Sequence, residues 1–122
     1  MSRAKTKIKQ SSRNIRIEND YLNQVQLVGR LSGKALEKLL PSGDKVVEFR
    51  LIVGRDKGRN QSKQSVDTID IAVWGAVGRK LALKFDENSW ISVDGAIRRR
   101  FWQSPSGLAS RWQVEASQIS AI

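Results

Sequence analysis

Residues 90–112 read WISVDGAIRRRFWQSPSGLASRW, and this stretch decides the fold. Taken with period two, Ile91, Val93 and Ile97 share one face. Trp90, Ser92, Asp94, Ala96, Arg98, Arg100 and Trp102 share the other. Ser104-Pro105-Ser106-Gly107 is turn chemistry, and a second β-like run, Arg111 to Ile119, follows it. The two runs predict a long hairpin whose outward face carries Arg98, Arg100 and Trp102 in a row. A cationic strip beside an exposed ring suits single-stranded nucleic acid, because charge tracks phosphates and a ring stacks on any base. On the inward parity, Phe101 is expected in the core. Arg99 is expected to snorkel at the barrel end, unless a bulge shifts the register. Trp112 shares parity with Val114 and Ala116, which suits core, a clasp of the hairpin or a ligand contact.

Working outward, Asn23 to Leu31 alternates and carries Gly29, with Gly33 just beyond, so that a first strand can curl as a small barrel needs. Pro41-Ser42-Gly43-Asp44 is a turn. A second strand, Lys45 to Val53, points Val47, Phe49, Leu51 and Val53 inward and Glu48 and Arg50 outward. Gly54 to Val66 then runs thirteen residues without a core position, with Arg55, Lys57, Arg59 and Lys63 against one acid, Asp56. A basic loop of that length suggests a flap over nucleic acid. The third strand, Asp67 to Trp74, turns Ile69, Ile71 and Val73 inward and Trp74 outward. From Ala76 to Phe85 the period changes, and Val77, Leu81 and Phe85 mark one face of a short helix. Three strands, a helix and a hairpin give an all-β class and the layout of the OB-fold, a five-stranded Greek-key barrel with its helix between the third and fourth strands.

Composition agrees with an anionic partner. The chain of 122 residues carries a net charge of +10. Residues 1–20 hold six basic and two acidic residues with almost no apolar period, predicting a disordered basic arm ahead of a domain at 21–122. With neither cysteine nor histidine, disulfides, thiolate metal sites and the commonest general base are excluded. Asp67 and Asp70 fall on opposite faces of one strand, which does not suit a metal-dependent nuclease. No catalytic residue, metal or cofactor is expected. Without a membrane-length apolar run or a secretory leader, a cytoplasmic protein is expected.

With these residues placed, the chain resembles the bacterial single-stranded DNA-binding protein family. The resemblance is carried by NQVQLVGRLSG (23–33), PSG (41–43), VWG (73–75), SVDGAIRRRFW (92–102), the Ser106-Gly107 turn and RWQVEASQI (111–119). It implies binding of single-stranded DNA with little sequence preference, in replication, recombination or repair, and a homotetramer. By position it puts Trp74 and Trp102 on two of the family's stacking aromatics. Two others are replaced, one by the Arg55-Asp56-Lys57 neighbourhood and one by Thr68. That implies more reliance on charge, unless Trp90 or Trp112 substitutes. The expected phosphate contacts are Arg50, Arg55, Lys57, Arg59, Arg98 and Arg100. The family's main members end in an acidic tip that recruits other proteins. Here nothing acidic follows Glu115, so recruitment of that kind is not expected. Two other readings stay open: a dimeric adaptor like the primosomal replication proteins, and an RNA-binding OB module.

Overall fold

A computed structural model describes residues 21–56 and 63–122; the basic arm, Lys57 and Arg59 lie outside the described residues. Six strands and one helix occur among them: β1 (Val25–Leu31), β2 (Leu36–Leu39), β3 (Lys45–Gly54), β4 (Val66–Val73), α1 (Ala76–Lys84), β5 (Trp90–Ser104) and β6 (Gly107–Ala121). The sheet order is β1-β5-β6-β4-β3-β2, and β1 also pairs with β3 at Arg30↔Ile52 and Leu31↔Leu51. That pairing closes β1, β3, β4, β5 and β6 into the expected five-stranded barrel. Four strand pairings are antiparallel within this ring and hairpin, and β4 meets β6 in parallel at Ile71↔Val114 and Ala72↔Glu115.

The core holds the side chains that alternation pointed inward: Val47, Phe49 and Leu51 from β3, Ile71 and Val73 from β4, and Ile91 and Val93 from β5. Leu31, Val114 and Ile119 complete the ring. Burying each such side chain contributes about 1.5–3 kcal/mol. The helix caps one end through Leu81, Ala82 and Phe85, so two of the three residues on the expected face pack inward, whereas Val77, at the helix start, is 85% exposed.

Strand β2 was not legible from alternation. All four of its residues, LEKL, are exposed, and it is held by pairing with β3 from Leu36↔Glu48 to Leu39↔Lys45. Two glycines permit close approach. A Cβ at Gly29 would lie 2.2 Å from the Ile52 carbonyl oxygen, beside the β1–β3 closure, and one at Gly95 would lie 2.2 Å from that of Glu115.

The β5–β6 hairpin outruns the barrel. Pairing of β1 with β5 ends at Val25↔Gly95, and the Asn23 amide then bonds both backbone groups of Ile97 at 2.8 and 2.9 Å. Beyond that point, β5 and β6 continue together to the closing pair Ser104↔Gly107. Seven residue pairs, Arg98↔Gln113 to Ser104↔Gly107, form this arm, which reaches roughly 20 Å at the usual strand rise.

Candidate nucleic-acid interface

Antiparallel register puts directly opposite residues on one face. Arg98, Arg100 and Trp102 therefore share a face with Gln113, Arg111 and Ala109. Glu48 and Arg50 of β3 and Asp70 of β4, which lies opposite Arg50, continue it. Lys38, from β2, reaches Glu48 at 2.7 Å. The result is a groove between the barrel wall and the arm. It includes a cavity of about 400 Å³ bordered by Gly33, Leu36, Arg50, Asp70, Arg111 and Gln113. A neighbouring hollow runs to Trp102 past Arg100.

Trp74 stands at the rim, just after β4, with the Arg100 guanidinium 5.2 Å from its ring centre. Its carbonyl accepts a hydrogen bond from Arg79 of α1, so the helix start holds the backbone that carries this ring. Trp102 is 43% exposed, further along the arm. A cation over one ring face and a second ring on the same surface form a surface suited to bases and phosphates.

Trp74, Arg50, Arg98, Arg100 and Trp102 are thus brought to one face. Arg55 is not: it leaves the far end of β3 and makes three hydrogen bonds to the Asp67 carboxylate, at 2.8–3.2 Å. That bonding raises the Arg55 guanidinium further above its already high pKa, so it remains charged. Trp112 faces the other side of the hairpin, opposite Arg99.

The expectation that Phe101 is core is overturned, since it is 58% exposed. Its parity is that of Ile91 and Val93, but it lies on the arm, beyond the barrel that would cover it. Arg99, rather than snorkelling over the barrel end, lies against Phe101 and Trp112 on that same arm. Ile97, expected to face inward, is 46% exposed for the same reason.

Sequence reasoning missed three groups of the groove: Lys38, Arg111 and the organising role of Glu48. Arg111 was legible in principle, because counting back from the Ser104↔Gly107 turn sets it opposite Arg100. Lys38 sits on the strand that alternation did not reveal. Glu48 is contacted by Lys38 at 2.7 Å, Arg100 at 3.2 Å and Arg111 at 3.8 Å. Burial pushes its carboxyl pKa up. The Lys38 hydrogen bond and charge, with help from Gln113 and Arg111, outweigh that and hold it below the usual value.

The other guanidinia are paired as well: Arg50 with Asp70 and Arg98 with Glu115, each at 3.3 Å. Both of these pairs are exposed. Such pairs contribute about 0–1 kcal/mol, so a phosphate can displace either carboxylate at little cost.

The model of the single-strand binding protein family matches residues 22–122. A single-stranded DNA-binding protein of Aquifex aeolicus is 28% identical over 104 residues, covering 83% of this chain and 70% of that protein. One from Oceanobacillus iheyensis is 31% identical over 86 residues, covering 70% of this chain and 53% of that protein. The chain thus spans about half the length of the second relative. Among solved structures, a chain of the Plasmodium falciparum SSB complex with ssDNA superposes with a TM-score of 0.64 and 25% identity. The match covers 85% of this chain and 96% of that one.

Proposed function

The chain belongs to the single-strand binding protein family, and from that premise we propose that it binds single-stranded DNA, with little sequence preference, along the groove between barrel and arm. The observation that carries this reading is the single face shared by Trp74, Arg100 and Trp102, with Arg100 over the Trp74 ring. Trp74 and Trp102 stack on bases. Arg50, Arg98 and Arg100 meet phosphates in the groove; Lys57 and Arg59 of the long basic segment add positive charge, and Arg55, bonded to Asp67 off the groove face, meets a phosphate only outside the groove. Residues 21–122 form the binding domain, preceded by the basic arm. The role is protective rather than catalytic: it holds exposed strands during replication, recombination or repair in the cytoplasm, as a homotetramer.

The test is quenching of tryptophan fluorescence by oligo-dT across a salt series, with duplex DNA as competitor. Quenching that resists duplex is expected. Trp102→Ala should weaken binding by about 1–3 kcal/mol. Salt-labile binding without quenching, shared equally with duplex, would overturn the stacking reading.

One observation favours a second reading, the dimeric adaptor. The groove's guanidinia are already matched by Glu48, Asp70 and Glu115, which lowers the charge offered to DNA. Native mass separates the two, since a tetramer supports the binder and a dimer supports the adaptor. Equal-salt comparison of oligo-dT with structured RNA tests the RNA-module alternative.

A further inference from the structure

We propose that the face of the hairpin turned away from the groove is a second base-stacking platform. Phe101 and Trp112 form it around Arg99, so that one DNA strand runs over both faces of the arm. The inference rests on the single-stranded DNA reading and extends it to a surface which that reading leaves unused.

Beyond the barrel end, the core face of β5 and β6 continues as Ile97, Arg99 and Phe101 opposite Val114, Trp112 and Ser110. Phe101 and Trp112 are 58% and 59% exposed, so the arm displays two large rings with no barrel above them. Arg99 lies between them, its guanidinium carbon 5.5 Å from the Phe101 ring centre and 5.4 Å from that of Trp112. Two of its nitrogens donate to the Ser110 hydroxyl at 3.0 and 3.1 Å, which fixes the guanidinium at ring level. A planar cation held between two rings offers bases a stacking surface and phosphates a charge.

Charge distinguishes the two faces. In the groove, Arg98, Arg100 and Arg111 each have a carboxylate partner. Arg99 has none among the described residues, and its cross-strand neighbours Ser110, Trp112 and Val114 include no acid. The outer face therefore presents its positive charge undiminished. A second copy of the chain is a poorer occupant. A two-fold contact centred on this patch would bring Arg99 against its own equivalent with no carboxylate between them. A single strand supplies both the flat apolar bases and the anion that this face lacks. The edge of β5 beyond Ile97 is unpaired among the described residues, leaving a way for the strand from one face to the other.

The test uses a variant of the 122-residue chain with Trp74, Trp90 and Trp102 each changed to Phe, which keeps an aromatic ring at every position and leaves Trp112 as the sole tryptophan. Oligo-dT of increasing length is added while binding is followed by anisotropy of a labelled oligonucleotide. Short oligonucleotides that fill the groove should bind without quenching Trp112, and longer ones should quench it. In the otherwise native chain, Phe101→Ala and Trp112→Ala should each cost about tenfold or more in affinity for long oligonucleotides, with native mass unchanged. Trp112 unquenched at every length despite binding would overturn the proposal. So would a double variant that changes native mass and leaves affinity intact, which would assign the patch to contact between copies. No binding of any oligonucleotide by the unaltered chain would overturn the single-stranded DNA reading itself, and this inference with it.

Discussion

Glu48 sets how much of the groove's positive charge a phosphate meets. Its side chain is 14% exposed and faces Lys38, Arg100 and Arg111, a pairing that yields to a phosphate less readily than the exposed Arg50–Asp70 and Arg98–Glu115 pairs do. Glu48→Gln should release charge towards DNA, steepening the salt dependence of oligo-dT binding and tightening it at low salt. The same change leaves three cations without their shared anion, so stability should fall by about 1–3 kcal/mol, read from urea unfolding. The pH dependence has a definite sign. The folded state holds the Glu48 pKa below its ordinary 4.5. Its contribution is therefore complete above that unfolded value and is lost as pH falls through the depressed folded one. Urea midpoints measured downwards from pH 7 should drop in the acid range more steeply for the native chain than for Glu48→Gln.

At the scale of elements, closing the barrel depends on backbones that touch. Gly29→Ala drives a methyl group to 2.2 Å from the Ile52 carbonyl oxygen, and Gly95→Ala does the same at Glu115. Backbone cannot swing aside as a side chain can, so each should cost about 2–3 kcal/mol in urea unfolding. Gly33→Ala meets no atom within 4 Å and should stay within about 0.5 kcal/mol of the native chain. Alternation alone gave Gly29 and Gly33 the same role, because curvature is a property of the strand while crowding belongs to its partner. The hairpin was legible for a different reason: its turn residues and its period-two pattern agree. Pattern could not show where the barrel ends. The inward parity of Ile97, Arg99 and Phe101 is real, and it runs past the last residue that β1 can cover. Strand β2 carries no alternation because neither of its faces is buried.

Across the whole molecule, charge is the feature most readily read from sequence and the one most altered by folding. Arg50, Arg98 and Arg100 were legible as outward cations, and the structure gathers them with Trp74 and Trp102 on one face. Their carboxylate partners come from elsewhere in the chain, Glu48 lying 52 residues from Arg100, and no local pattern reports such a pairing. Of the net +10, residues 1–20 carry +4 (six basic, two acidic), leaving +6 on the remainder, where the strongest groove cations are already matched. The arm is therefore expected to supply a disproportionate share of phosphate contacts. If four to six phosphates are neutralised per subunit, log affinity against log salt should slope at about −3 to −4. A chain lacking residues 1–20 keeps all the segments described and the family-matched region 22–122, so its thermal midpoint should be unchanged. Its salt slope should become shallower by about 0.7 for each phosphate the arm had held. Quenching of Trp74 and Trp102 by bound oligo-dT should keep its full amplitude, since the rings remain. An unchanged slope would instead assign every phosphate contact to the barrel and its hairpin. The exposed Arg50–Asp70 and Arg98–Glu115 pairs would then have to open on binding, and Asp70→Asn should tighten binding of the truncated chain.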